Sequence, residues 1–290
     1  MSHHHHTAHG NHRHADGSHE PNDALSQMLD LDAEILAGPL GAVRADIAAL
    51  VDAPVRSILD LGAGTGTGTF GLLQHFAGAH AVAVDGSTDM LDRLQRRAER
   101  LGLADRVTLR HADLDEGVPE LDPVDLAWAS ASLHHLADPD RTLAQVSAAI
   151  RPGGLLAVVE LTGHPRFLTD GAPGAAAEAS AHALLAVDRT VDMPAMGSDW
   201  ASRLARAGLG VELDRPIVVD LEPPLPDVAG TYAFAVLTRI RGAVADRLGA
   251  AELDHLDLLL DGGALDVRHR SDLRVRTERQ LRIARRPASG

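Results

Sequence analysis

Residues 58–70, ILDLGAGTGTGTF, constrain the chain more than any other stretch. An apolar segment of strand length runs directly into glycines at 62, 64 and 66 and then into residues that suit a helix. Glycine lets a backbone turn sharply and approach a ligand with no Cβ in the way, and the helix beyond opens with N–H groups that lack intrahelical partners. A glycine-rich turn alone says little, but its position between strand and helix points to a ligand cradle. The dinucleotide spacing G-x-G-x-x-G is met only by Gly66, Gly68 and Gly71, too far into the helix to form the turn itself. From the strand end the loop reads D-x-G-x-G-x-G, Asp60 to Gly66.

The same rhythm continues on both sides. Short apolar strands are expected at 55–61, 81–85, 106–111, 124–129 and 155–161, with helices at about 67–76, 87–101 and 139–150 between them. The last helix opens on ADPD, an Asp cap with proline in the first turn, and stops at RPGG. Near-continuous apolar strands alternating with helices predict a parallel sheet covered on both faces. Two further helices are expected before the first strand, where apolar spacing is helical from Asp23 to Leu50 and broken by GPLG. After Leu161 an alanine-rich helical insertion spans about 167–196, followed by the helix of SDWASRLARAG, a strand near 211–221, helices at about 227–248 and 251–260, and a final alternating strand, DLRVRTERQLRIA. Its arginines are expected on one face and its Leu and Val residues on the other.

Composition excludes several chemistries. There are 41 acidic and 27 basic residues, a net charge of -14, which argues against a nucleic-acid partner because such binding draws on cations placed against phosphates. All the basic residues are arginine, so a lysine catalyst is excluded, and with no cysteine so are thiolate nucleophiles, disulfides and zinc-thiolate sites. No apolar run approaches the ~18 residues of a membrane span, and the polar first twenty residues lack the apolar core of a signal peptide, so a cytoplasmic enzyme without a membrane partner is expected. Those twenty residues hold eight of the seventeen histidines and little to bury. They read as a disordered tail with incidental affinity for divalent metal and no catalytic role. The expected organisation is a tail at 1–22, N-terminal helices at 23–54, a ligand-binding core at 55–161, and cap insertions with the last strands at 162–290.

Acids recur where strands end: Asp60 before the glycine loop, Asp85 in AVAVDGSTDML and Asp113 in HADLDE, with SASLHHL after the fourth strand. In this order the motifs resemble the class I S-adenosylmethionine-dependent methyltransferase family over roughly residues 31–160. The resemblance implies a Rossmann-like, doubly wound, seven-stranded and mostly parallel α/β sheet with an antiparallel last strand, N-terminal helices and helical cap insertions. It implies S-adenosylmethionine as cofactor, leaving as S-adenosylhomocysteine, with Gly62, Gly64 and Gly66 forming its cradle. Asp60 and the backbone at Ser130 would hold its amino group, and Asp85 would hold both ribose hydroxyls, as a carboxylate can. Met90 would pack on the adenine or, equally, face the core. Asp113 would accept from the adenine amino group and the Leu114 N–H would reach the ring.

A methyl transfer asks for alignment of the nucleophile and, for a hydroxyl or protonated amine, removal of its proton. Histidine, with a pKa near ~6.5, suits that task. His134 and His135 follow the C-terminal end of the fourth strand, where open parallel sheets bind ligands. Neighbours on a helix point about 100° apart, so one of the two, His134 in preference, is expected to face the site. Glu160 ends the fifth strand on the same crevice and could orient a histidine or act as base itself; His164 and Arg166 read as a loop histidine and a solvated arginine. SASL is not the Asn/Asp-Pro-Pro-aromatic motif of base-methylating enzymes, and no acid cluster for an essential metal is evident. The leading expectation is therefore a methyltransferase of a small oxygen or nitrogen nucleophile. A non-methylating binder or enzyme on the same fold is the first alternative, and a nicotinamide-dependent oxidoreductase the second. The sequence leaves acceptor and oligomeric state open.

Overall fold

A computed structural model describes residues 19–192 and 195–288. β1 (Ser57–Leu61) carries Ile58, Leu59 and Leu61, all fully buried, so both of its faces need cover. It pairs in parallel with β2 (His80–Asp85) on one side and β4 (Val124–Ser130) on the other. β3 (Val107–His111) adds to β2, and β5 (Ile150–Leu161) to β4. β7 (Val275–Arg285) runs antiparallel between β5 and β6 (Gly210–Leu221), giving the order β3-β2-β1-β4-β5-β7-β6. This is the seven-stranded sheet with an antiparallel last strand that the motifs implied. The order reverses between β1 and β4, and at such a switch the strand ends splay to leave a crevice.

α2 (Ala37–Leu50), α3 (Thr67–His75) and α4 (Thr88–Arg100) cover one face through Val43, Ile47, Phe70, Leu73 and Leu94. α5 (Pro139–Ala149) and α7 (Trp200–Arg206) cover the other through Leu143, Val146, Trp200 and Leu204. Both of these helices start on aspartate caps: Asp138 accepts from the Arg141 N–H at 3.0 Å and Asp199 from Ser202 at 3.1 Å. A third apolar cluster joins α1 (His19–Ile35), α6 (Ala175–Asp192), α8 (Ala229–Ala243) and α9 (Ala250–Leu258) around Phe167, Tyr232, Leu237 and Leu256. The cap thus has its own core.

Three details differ from the sequence reading. α1 starts four residues before the expected Asp23, at the end of the histidine-rich segment, whose residues 1–18 lie outside the described residues. β5 begins at Ile150 rather than 155, because the chain pairs with β4 across a bulge between Val124 and Leu126. The arginines of β7 do not share a face. Arg276 and Arg282 alternate as expected, but Arg279 falls on the inward parity of Val275 and Leu281 and is 6% exposed.

α1 is clasped from two sides. Asp30 pairs with Arg93 and Arg97 of α4 at 3.1 and 3.4 Å. Asp32 accepts from the Tyr232 hydroxyl of α8 at 2.7 Å and from Arg279 at 2.5 Å. Among the described residues no helix is long and apolar enough to cross a membrane.

Gly66 has φ +86°, and a Cβ there would sit 2.6 Å from the Phe70 ring and 2.7 Å from Leu94. Gly66→Ala is therefore expected to lower unfolding free energy by at least about 2 kcal/mol in urea denaturation. A loss below about 0.5 kcal/mol would mean the loop rearranges freely.

Candidate functional site

The glycine loop is held by its neighbours' strand ends. Gly62, Gly64 and Gly66 all have positive φ, at 66°, 52° and 86°, a region that side chains with a Cβ rarely adopt. Gly62 and Ala63 both donate to the Val84 carbonyl, at 2.9 and 3.0 Å, which lays the loop across the end of β2. Asp85 then takes the Gly64 N–H on one oxygen and the Ser87 N–H on the other, both at 2.8 Å. A carboxylate oxygen can accept more than once, so Asp85 positions the loop and the start of α4 while keeping capacity for a ligand hydroxyl. A Cβ at Gly62 would lie 2.5 Å from the Ser132 Cβ, so glycine is also what lets the loop meet the segment after β4.

Asp60 is buried beside the first turn of α3 and accepts from the Thr69 hydroxyl at 2.5 Å. Burial, reinforced by the charge of Asp85 and opposed by Thr69, pushes its carboxyl up to about 7. Asp60 lines a cavity of about 130 Å³ together with Gly62, Gly64, Ser130 and Arg44. Arg44, on α2, has no hydrogen-bond or ion-pair partner among the described residues, and burial lowers its pKa. One acid and one unpaired guanidinium across a small cavity match the two charged ends of an amino acid, so the residues present fit the methionine end of S-adenosylmethionine.

The other expected binding residues stand at the adjoining strand ends. Asp85 lies opposite His111 in the β2–β3 register, with Asp113 two residues farther on. Met90 is buried in the first turn of α4, and its N–H is taken by Ser87 at 3.3 Å. The Asp113 carboxylate accepts from Asp115 at 2.8 Å, and Leu114 is buried. These residues and Gly66 do not line the cavity that holds Asp60.

Beside it lies a larger cavity of about 360 Å³, bounded by α1, α8 and the turn after β4. Leu29, Asp32, Ala131 and Arg279 line both cavities and form the wall between them. Ala131 holds φ +52°, costly for a residue with a Cβ, and it is tied to β5 by its N–H on the Val159 carbonyl at 2.8 Å.

Both histidines line the larger cavity. They stand on a single three-residue 3-10 turn, Leu133–His135, and their ring centres are 4.1 Å apart. Glu160, 1% exposed, accepts the Ser132 and Leu133 N–H groups on one oxygen, at 3.2 and 2.8 Å, and meets His134 Nδ1 with the other at 2.5 Å. A proton on Nδ1 directed at that carboxylate leaves Nε2 with its lone pair. Glu160 is therefore placed to orient His134 and lies behind it, off the cavity wall. His135 is more exposed, and burial, then the neighbouring His134 and Arg239, lower its pKa against the pull of Glu160. His164 also borders this cavity, whereas the main chain of Arg166 bridges to Arg276. Among the described residues no three His, Asp or Glu side chains gather to hold a metal ion.

Sequence reasoning missed Asp32, Arg44, Arg239 and Arg279. Only Arg279 left a trace, the break in arginine alternation along the last strand.

Comparison with known proteins finds methyltransferases. A family model described as "Methyltransferase domain" matches residues 59–156. The chain is 32% identical over 166 residues to the 27-O-demethylrifamycin SV methyltransferase of Amycolatopsis mediterranei, covering 55% of this chain and 57% of the relative. It is 31% identical over 108 residues to the tRNA 5-carboxymethoxyuridine methyltransferase of Escherichia coli K12, covering 37% and 41%. The chain thus spans about half the length of these curated relatives or less. In fold it is similar to the crystal structure of a candidate methyltransferase from Bacillus halodurans C-125, with a TM-score of 0.55 at 18% identity, covering 87% of this chain and all of that one. Residues 59–156, which carry the glycine loop and the strand-end acids Asp60, Asp85 and Asp113, thus match a methyltransferase domain.

Proposed function

We propose that the chain transfers a methyl group from S-adenosylmethionine to an oxygen or nitrogen of a small molecule, with His134 as the base that takes the acceptor's proton. The observation that supports this reading is the Glu160–His134 pair, engaged through Nδ1, with His134 lining the larger cavity beside the Asp60–Arg44 cavity. The cofactor, when bound, supplies a methyl group already activated by its sulfonium. What remains for the protein is to hold both partners and manage one proton.

In this reading Asp60 takes the amino group with the backbone at Ser130, Arg44 takes the carboxylate, and Gly62, Gly64 and Gly66 let the backbone come close. Asp85 holds the ribose hydroxyls, while Met90, Asp113 and the Leu114 N–H receive the adenine. Glu160 keeps the Nδ1 proton in place and stabilises the imidazolium as His134 accepts a proton at Nε2. His135, held toward the neutral form, widens the same wall. The Amycolatopsis relative, named for a small-molecule acceptor, supports such an acceptor here. An RNA acceptor, the substrate type named for the Escherichia coli relative, is disfavoured by the net charge of -14 and by a cavity of about 360 Å³.

Calorimetric titration should show binding of S-adenosylmethionine and none of NAD, and a screen of small hydroxylated and aminated acceptors should release S-adenosylhomocysteine. Binding of NAD alone would sink the reading, and tight cofactor binding with no turnover across the screen would favour a non-methylating role. With a turned-over acceptor, His134→Ala should slow kcat by about 10²-fold or more while cofactor affinity stays within about twofold. Glu160→Gln should slow it by about tenfold or more and alter the pH profile. Unchanged kcat in His134→Ala, His135→Ala and the double variant would remove the base role.

Asp60 gives a separate test of the cofactor end. Its carboxyl, raised to about 7, is mostly protonated in the free protein at pH 6. An ammonium placed against it favours the ionised form, so binding should release close to one proton. Titrations of S-adenosylmethionine at pH 6 in buffers of different ionisation enthalpy should show this release, and Asp60→Asn should abolish it. A wild-type binding enthalpy independent of buffer would contradict the placement.

A further inference from the structure

The larger cavity is apolar over much of its wall, through Met28, Leu29, Leu185, Val236 and Ile240, but its charges are unbalanced. Among the described residues its carboxylate is Asp32, already engaged by Tyr232 and Arg279. Arg239 and Arg247 also face it. Arg239 has no hydrogen-bond or ion-pair partner among the described residues. Other arginines of this region are matched: Arg241 to Asp257 at 2.7 Å, Arg268 to Asp266 at 2.7 Å and Arg274 to Asp220 at 2.5 Å. Arg239 is itself exposed at the cavity's edge, with no acid among the described residues set against it in a chain of 41 acids and 27 basic residues. It lines the same cavity as His134 and His135. Arginine cannot shed its charge at neutral pH, and its planar fork suits carboxylate, sulfonate and phosphate oxygens.

We propose that the acceptor is an amphipathic anion whose apolar body lies between α1 and α8, whose acidic group sits on Arg239, and whose reacting hydroxyl or amine points to His134. The position of the reacting group rests on the methyltransferase reading. The preference for an apolar anion does not, and it can be measured with no methyl transfer.

The probes are 8-anilino-1-naphthalenesulfonate and N-phenyl-1-naphthylamine, which differ by the sulfonate, titrated by fluorescence into the full chain. The sulfonate should bind about tenfold tighter or more. Arg239→Gln should weaken it by about tenfold and leave the neutral probe within about twofold. Arg241→Gln, which removes the same charge from the same helix outside the cavity, should change neither, and thermal melting should show both variants folded. Equal affinity of the two probes, no binding of either, or equal losses in Arg239→Gln and Arg241→Gln would overturn the proposal. Wild-type protein that fails to bind S-adenosylmethionine yet keeps the sulfonate preference would overturn the methyltransferase reading alone.

Discussion

The buried Glu160 carboxylate is the constraint on which the rest of the site depends. A carboxyl group in so dry a place is tolerated only when its lone pairs are engaged. Ser132, Leu133 and His134 fill them. To deliver two backbone N–H groups and an imidazole to one carboxylate, the chain after β4 must turn at once, and Ala131 takes the strained backbone angle that permits it. The same turn brings Ser132 against Gly62, where its hydroxyl donates to the Leu61 carbonyl at 2.8 Å. One satisfied carboxyl group therefore fixes residues that line both cavities, His134 in the larger, Gly62 in the smaller and Ala131 in each.

The sheet and the glycine cradle were legible because their causes are local. Strands buried on both faces read as apolar runs, and a loop that must turn left-handed between strand and helix reads as glycine. Asp60, Asp85 and Asp113 could be located because strand ends can be counted. What escaped are contacts between distant parts of the chain. Asp32 lies 247 residues from Arg279 and 200 from Tyr232, and no local period couples them. Arg44 and Arg239 look like ordinary surface arginines until the fold leaves them without acids. The histidines were legible as a pair but not in their spacing, because the pattern suggested an α-helix where the chain forms a three-residue 3-10 turn. The bulge at the start of β5 was hidden for a similar reason: its glycines read equally well as a helix stop.

The chemistry asked of this scaffold is modest, and the structure is economical with it. Charged side chains at the site are engaged by named partners, as Asp85, Glu160 and the cavity-lining Asp32 are, or face a cavity without an ion-pair partner, as Asp60, Arg44 and Arg239 do. That division separates groups that build the site from groups with capacity left for ligands. Asp85 belongs to both sets, since two N–H groups leave a carboxylate only partly used.

α1 carries a thermodynamic consequence. Leu29 and Asp32, one helical turn apart, contribute to the walls of both cavities, and Asp30 and Asp32 fasten the helix to α4 on one side and to α8 and β7 on the other. A molecule that orders this helix by filling one cavity also sets the shape that the second molecule meets. Such heterotropic coupling is reciprocal by linkage: whatever factor cofactor occupancy contributes to acceptor affinity, acceptor occupancy returns to cofactor affinity.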